Sequence, residues 1–303
     1  MGPPDPGRAA RARLRDRAPG RQPHRAPLRT GDAVSVAAAE TAPSYGARRF
    51  VLATDLDGTF LGGSERDRRT LYDWIEANRA EVGLIFVTGR DPEFLEALCG
   101  EGLVPWPDFA VGDVGTTIAE IAFEGGRGRV RPLAALEREI AEAWGDAGPA
   151  VRRALDGAAG LTLQPTRFRH RVSYDFDPAA YDGSAAEIVS AMELDWLISA
   201  GRYFDVLPKG ISKGPSLRRL IRWLDLPETR VLAAGDTLND LSMLESGLPA
   251  VAVGGSEPGL LARLADAPSL HRAKAIGAGG ILEAIAALGL HPDVPAPNDN
   301  EQE

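Results

Sequence analysis

Five short apolar runs, each followed by a turn or a segment of helical periodicity, constrain the fold of this chain most. They are FVLATDL (50–56), VGLIFVTGR (82–90), DFAVGDVGTTI (108–118), TRVLAAGDT (229–237) and PAVAVGG (249–255). Each reads as a buried strand, too short and too rich in β-branched residues for a helix. Between them, Leu71, Trp74, Ile75 and Asn78 recur at helical spacing from Glu65 onward, so one face is apolar. Asp91 is a natural N-cap for a helix in DPEFLEALCGEGL, which Gly100 or Gly102 closes. After residue 212 the same rhythm returns, with helices expected in SKGPSLRRLIRWLDL, NDLSMLESG, PGLLARLAD and GGILEAIAALG. Strands alternating with helices predict right-handed βαβ units and an α/β fold, a doubly wound parallel-sheet core.

The middle of the chain breaks the rhythm. Helical patterns at AALEREIAEAW and AAEIVSAMELDW are interleaved with alternating segments, LTLQPTRFRHRVSYDFD and WLISAGRYFDVLP. This predicts an α+β module inserted into the core. The expected layout is a core of 50–119 and 206–290, an inserted cap at 120–205, and a disordered tail at 291–303. Residues 1–49 carry ten arginines against four acids and lack periodicity, so they read as a disordered, dispensable leader. The whole chain has a net charge of −9, so the body beyond this leader is strongly acidic, which argues against nucleic acid as a partner. No apolar run reaches the ~20 residues of a membrane span. The single cysteine, Cys99, excludes an intrachain disulfide and fits a reducing, cytoplasmic setting. A monomer or small homo-oligomer is expected.

In open parallel sheets, ligands bind beyond the carboxyl ends of the strands. There the sequence places Asp55 and Asp57 after the first strand, Thr88, Gly89 and Arg90 after the second, and Asp236, Asn239 and Asp240 after the strand VLAAG. Lys213 opens the preceding helix. Carboxylates packed this closely repel one another unless a cation joins them, and an oxygen-rich site with few protein ligands suits Mg²⁺ completed by a phosphate oxygen. One aspartate then attacks phosphorus, and a second carboxyl protonates the leaving alkoxide and later activates water. Asp55 and Asp57 fit those two roles. DLDGT is not a calcium loop, because Gly58 falls at position four and Arg66 at position twelve. Asp236 and Asp240 also suit simple helix capping.

DLDGT, TGR, SKG and GDTLND resemble the four ordered motifs of the haloacid dehalogenase superfamily of phosphatases, over about residues 50 to 290. The inserted module resembles the larger α/β type of cap (subclass IIB). The resemblance implies Asp55 as nucleophile and Asp57 as general acid/base that also holds metal through its backbone carbonyl. It implies Thr88 as a phosphoryl ligand, Lys213 as its counter-charge, and Asp236 as a Mg²⁺ ligand with Asp240 and Asn239 in support. Lys209 competes with Lys213 and is expected at the mouth of the site. A closer likeness, carried by TGR, DVGTTI, RHRVSYDFD and GRYFDVLPKGISKG, is to the sucrose-phosphate phosphatase branch. This chain has Arg171 where that branch usually has a lysine.

Specificity is expected in the cap, where Gln164, Arg167, Arg169, His170, Arg171 and Tyr174 are candidates to face a sugar, and at the junction, where Gly115 and Thr116 are candidates to admit it. A solvated strand edge with basic residues is the alternative for the cap segment. The expected activity is a Mg²⁺-dependent phosphatase acting on a small phosphorylated sugar such as sucrose 6-phosphate or another hexose or disaccharide phosphate. A sugar phosphomutase and a non-catalytic sugar-phosphate-binding domain remain open alternatives.

Overall fold

The computed structural model describes residues 45–166 and 168–297. The expectations for the leader up to residue 44, for Arg167 and for the last residues of the tail lie outside that range. Strand β1 (Phe50–Thr54) leads to helix α1 (Glu65–Ala77), then β2 (Val82–Val87), α2 (Pro92–Gly100) and β3 (Phe109–Gly112). A hairpin follows, β4 (Thr117–Glu124) and β5 (Arg127–Pro132). The inserted module comprises α3 (Ala134–Trp144), α4 (Gly148–Ala154), β6 (Leu161–Leu163), β7 (Val172–Phe176), α5 (Ser184–Ala191), β8 (Asp195–Ser199) and β9 (Tyr203–Leu207). The chain re-enters the core through α6 (Lys213–Trp223), β10 (Val231–Gly235), α7 (Leu241–Leu244), β11 (Ala250–Gly254), α8 (Pro258–Arg263), β12 (Leu270–Ile276) and α9 (Ala278–Ala287).

The core is one eight-stranded sheet in the order β12-β11-β10-β1-β2-β3-β4-β5. β12 to β3 run parallel, and β4 and β5 are antiparallel additions at one edge. Every residue of β1, β2 and β10 is buried, as expected of strands covered on both faces. Val51, Ala53, Ile85 and Val87 face Leu217, Leu220 and Ile221 of α6 on one side. Phe50, Leu52, Leu84 and Phe86 face Leu71 and Ile75 of α1 and Ile281 and Ile285 of α9 on the other. Capping sets the helix starts. Ser64 accepts from the Asp67 amide at 3.0 Å, and Asp91 accepts from the Phe94 amide at 2.8 Å.

The sequence reading and the fold part company at several places. The hairpin β4–β5 falls where the cap was expected to begin at residue 120, yet it extends the core sheet, because Thr117 pairs directly with Gly112 as the chain reverses. Its basic strand RGRVRP gives no buried pattern to read. α3 also buries Leu136 and Ile140 in the core, so the cap's own hydrophobic cluster begins at Trp144. Strand β12, unanticipated between two helices, is an edge strand whose alternate burial is masked by His271, Arg272 and Lys274. The ordered core also reaches past its expected ends. Tyr45 packs edge-on against Phe109 with ring centroids 5.0 Å apart, and His291 packs against Trp74 at 5.2 Å.

The cap is a four-stranded antiparallel sheet in the order β6-β7-β9-β8. Val172, Tyr174, Phe204 and Val206 from its strands pack against Val151 of α4 and Val189 of α5. Among the described residues, no helix is long and apolar enough to cross a membrane.

Candidate active site

β1 and β10 are neighbours, yet the chain leaves β1 toward β2 on one side and returns to β10 on the other. Their carboxyl ends therefore form a topological switch point, the crevice in which doubly wound sheets bind ligands. Asp55 follows β1 and extends its ladder by donating its amide to Ala234 O at 2.9 Å. The turn Leu56–Phe60 then folds back over β10. Gly58 sits there at φ +82°, where a Cβ would collide with the Asp236 carboxylate. Thr59 donates its hydroxyl to Asp236 Oδ1 at 2.5 Å. The DLDGT turn thus brings the two aspartates together.

Lys213, the first residue of α6, is fully buried beneath them. Its Nζ donates to Asp55 Oδ1 at 2.6 Å, Asp240 Oδ1 at 2.7 Å and Asn239 Oδ1 at 2.8 Å. These bonds use all three of its donors, so in this geometry Lys213 fixes Asp55 and is not turned toward the cleft. Burial works against its charge, but Asp240 and Asp55 outweigh that and hold its pKa above the ordinary lysine value. Asp240 is equally committed. Its Oδ1 takes the lysine, and its Oδ2 accepts the amides of Asp236 and Thr237, both at 3.0 Å, within a capping box with Thr237.

Asp55, Asp236 and Asp240 present ligand atoms within 4.8 Å of one another, a cluster that could hold a cation. Burial raises the Asp55 carboxyl well above its ordinary range despite the opposing pull of Lys213, and it pushes Asp236 up to about 6. Three carboxylates against one ammonium leave a formal excess of two negative charges, which suits a divalent ion. With Asp240 saturated by its own hydrogen bonds, Asp55 and Asp236 are the carboxylates with oxygens to offer.

The Asp57 side chain stands outside this cluster. Arg90 clasps it with two hydrogen bonds, Nε to Oδ2 at 2.8 Å and Nη2 to Oδ1 at 3.0 Å, and the guanidinium lies over Phe94 with its carbon 4.5 Å from the ring centre. Asp55, Asp57, Gly89, Arg90 and Asn239 form the floor of a cleft of about 460 Å³. Gln164, Phe168, Arg171, Ser199, Arg202 and Tyr203 of the cap roof it. Thr88 is buried beside this floor, its hydroxyl accepting from the Arg90 amide at 3.1 Å.

Several expected contacts lie elsewhere. Gly115 and Thr116 do not line the cleft. Gly115, at φ +100°, lets the chain pass so near Ser212 and Lys213 that a Cβ would collide with the Ser212 carbonyl, while Thr116 donates to Asp113 O at 2.9 Å. They seat α6. Arg169 pairs with Glu137 at 2.8 Å, and His170 lies 3.5 Å from the same carboxylate. Tyr174 is buried inside the cap, where burial pushes its phenol up to about 12. Lys209 is exposed and pairs with Asp195 at 2.8 Å. The sequence reading passed over Thr59, Phe168, Arg202, Tyr203 and Asp205. Only Asp205, an acid in the apolar strand YFDVL, carries a signal that could have been read.

Known proteins resemble this chain in sequence and in fold. A family model described as sucrose-6F-phosphate phosphohydrolase matches residues 48–289. The chain is 42% identical over 242 residues to a glucosylglycerol-phosphate synthase of Pseudomonas anguilliseptica, a match that spans 79% of this chain but only 31% of that protein. It is 28% identical over 252 residues to a mannosylfructose-phosphate phosphatase of Agrobacterium fabrum, covering 80% of this chain and 98% of the other. The fold is similar to that of the sucrose-phosphatase of Synechocystis solved with sucrose and phosphate. That likeness has a TM-score of 0.70 at 24% identity and covers 80% of this chain and 98% of that one.

Proposed function

The chain belongs to the sucrose-6F-phosphate phosphohydrolase family of haloacid dehalogenase-type phosphatases, and from that premise we propose that it hydrolyses the phosphomonoester of a small glycoside through a phosphorylated Asp55. The observation that carries this reading is the Asp55–Lys213 pair. A carboxylate at a strand end, buried yet lining a cleft, has one oxygen tied to a buried ammonium and the other left to act. The names of the two relatives, a synthase of a glucosylglycerol phosphate and a phosphatase of a mannosylfructose phosphate, share a chemistry with sucrose 6-phosphate. In each, a hexose is linked to a phosphorylated partner that is itself a polyol or ketose. The cleft of about 460 Å³ suits a substrate of that size.

Asp55 attacks phosphorus in line with the departing oxygen, while Lys213 holds the nucleophile in one orientation. Thr88 and the backbone of the 88–90 loop receive the phosphoryl oxygens. Asp57 donates a proton to the leaving alkoxide and then takes one from the water that cleaves the aspartyl phosphate. For that, Arg90 must release one Asp57 oxygen when substrate enters. Asp55 and Asp236 would hold Mg²⁺, which would supply compensating positive charge for the phosphoryl oxygens when bound. The cap side chains Gln164, Arg202 and Tyr203 present donors and acceptors to the sugar.

Phosphate release across sucrose 6-phosphate, a mannosylfructose phosphate, a glucosylglycerol phosphate and glucose 6-phosphate tests the reading. One glycoside phosphate is expected to exceed glucose 6-phosphate in kcat/KM by about tenfold or more. Release from none of them, or preference for the simple hexose, contradicts it.

A further inference from the structure

The loop Thr88–Gly89–Arg90 carries the phosphoryl-binding hydroxyl and the cation that clasps Asp57, and its three carbonyls are held from different sides. Thr88 O accepts the Val114 amide at 3.1 Å, and Arg90 O accepts the Asp113 amide at 2.9 Å. Both donors belong to the core, on a turn where Asp113 and Val114 adopt φ of 53° and 59°. For a β-branched valine this conformation is strained, and it persists only where its surroundings enforce it. The third carbonyl, Gly89 O, accepts instead from the cap, from Arg171 Nη2 at 3.1 Å.

Arg171 is built for that reach. Its side chain is buried, with an exposure of 6%. On the cap side, Asp205 Oδ1 accepts its Nη1 at 3.0 Å, and Ser173, paired with Asp205 across the strands β7 and β9, donates to the same oxygen. Phe168 covers its face, 3.6 Å from guanidinium carbon to ring centre. On the core side lies Asp113, with Oδ1 3.5 Å away and Oδ2 held by the Thr117 hydroxyl at 2.6 Å. One planar fork therefore spans cap and core, a geometry that lysine, with a single nitrogen, does not reproduce.

We propose that Arg171 is a positioning residue that ties the closed cap to the phosphate-binding loop, so that cap closure and phosphate affinity are coupled. Any motion separating the cap sheet from the core must break the hydrogen bond to Gly89 O and the ion pair with Asp113. The loop then loses the one holder of its middle carbonyl among the described residues, and the Thr88 hydroxyl and Arg90 lose their fixed placement. The proposal rests on the phosphatase reading above. It departs from the expectation that Arg171 touches the sugar, because its Nη groups are spent on the protein.

The test is calorimetric binding of inorganic phosphate, with Mg²⁺ in the buffer, to the wild type, Arg171→Lys and Asp113→Asn. Phosphate carries no sugar, so a residue that only touched the sugar would leave its affinity unchanged. Affinity is expected to fall about tenfold in Arg171→Lys and about threefold in Asp113→Asn, with KM for the glycoside phosphate rising in parallel. Wild-type phosphate affinity in both, with KM alone raised, overturns the proposal. Should Arg171→Lys not fold, Asp113→Asn, which weakens the ion pair at Asp113 and leaves the bond to Gly89 O in place, decides alone. Phosphate binding needs no turnover, so this proposal can fail while the phosphatase reading stands. That reading fails separately if the wild type releases phosphate from no substrate.

Discussion

Lys213 Nζ lies 2.6 Å from Asp55 Oδ1, and the two residues are 158 positions apart in the chain. The contact joins the end of the first strand to the helix that re-enters the core, so one buried ammonium links the two halves of the candidate site. Lys213→Met leaves Asp55 and Asp240 without their counter-charge in a site that admits little water. Breaking such a buried pair costs about 3–5 kcal/mol of stability, and loss of a fixed electrostatic partner costs about 10²–10³ in rate. Thermal unfolding and phosphate release measure the two effects. Activity within a few fold of wild type contradicts the assignment.

The acid cluster makes cation binding dependent on pH. Burial raises Asp55, against the pull of Lys213, and pushes Asp236 up to about 6 with only partial relief from Thr59. Without metal, the folded protein then holds protons that the unfolded chain, with aspartates near 4, has already released. Stability conferred by the Asp236 proton is full at low pH and is lost as pH rises through about 6, and the raised Asp55 acts in the same direction. A cation needs the ionised carboxylates, so it reverses that loss. The gain in melting temperature on adding Mg²⁺ is expected to be small near pH 5 and large near pH 7.5. An equal gain at both, or the reverse order, contradicts a site built on Asp55 and Asp236.

Gly58→Ala addresses the turn that follows Asp55 and packs against Asp236. The new methyl meets the Asp236 carboxylate, and the backbone stays at φ +82°, which alanine disfavours. The hydrophobic layers on the sheet are untouched. Affinity for Mg²⁺ is expected to fall by about tenfold or more, as for lost ligand support, while the unliganded melting temperature drops by only a few degrees. Titration of activity with Mg²⁺ reads the first and thermal unfolding the second.

Tyr174 separates a sugar contact from a packing residue. Its ring is buried in the cap cluster beside Val172 and Phe204, and its hydroxyl is buried without a hydrogen-bond partner among the described residues. Tyr174→Phe therefore removes a polar group that earns nothing where it lies. Stability is expected to hold within about 1 kcal/mol or to rise, and kcat/KM to stay within about twofold. A large increase in KM returns Tyr174 to the substrate.

How much of this was legible follows from how local each signal is. The fully buried strands and the residues at their carboxyl ends could be read because each sits in a short, strict context: an apolar run, then Asp55, Thr88 or Asp236. The capping alternative for Asp240 and its place in the site proved compatible, since one carboxylate oxygen caps the turn after β10 and the other holds Lys213. The cap roof was legible only in part. Its residues come from 164–171 and from 199–205, and antiparallel pairing of β7 with β9 brings them together, which no periodicity encodes. RHRVSYDFD shows the same limit. Arg169, Arg171 and Tyr174 lie within six residues, yet they point to the helix α3, to the 88–90 loop and into the cap core.

The central claim is that Asp55 becomes phosphorylated, and mass spectrometry of acid-quenched enzyme after rapid mixing with substrate and Mg²⁺ tests it most directly. The account predicts one added phosphoryl group on the peptide containing Asp55 in the wild type. In Asp55→Asn it predicts neither that group nor phosphate release. Undiminished phosphate release by Asp55→Asn, or a phosphoryl group carried on another residue, would contradict it.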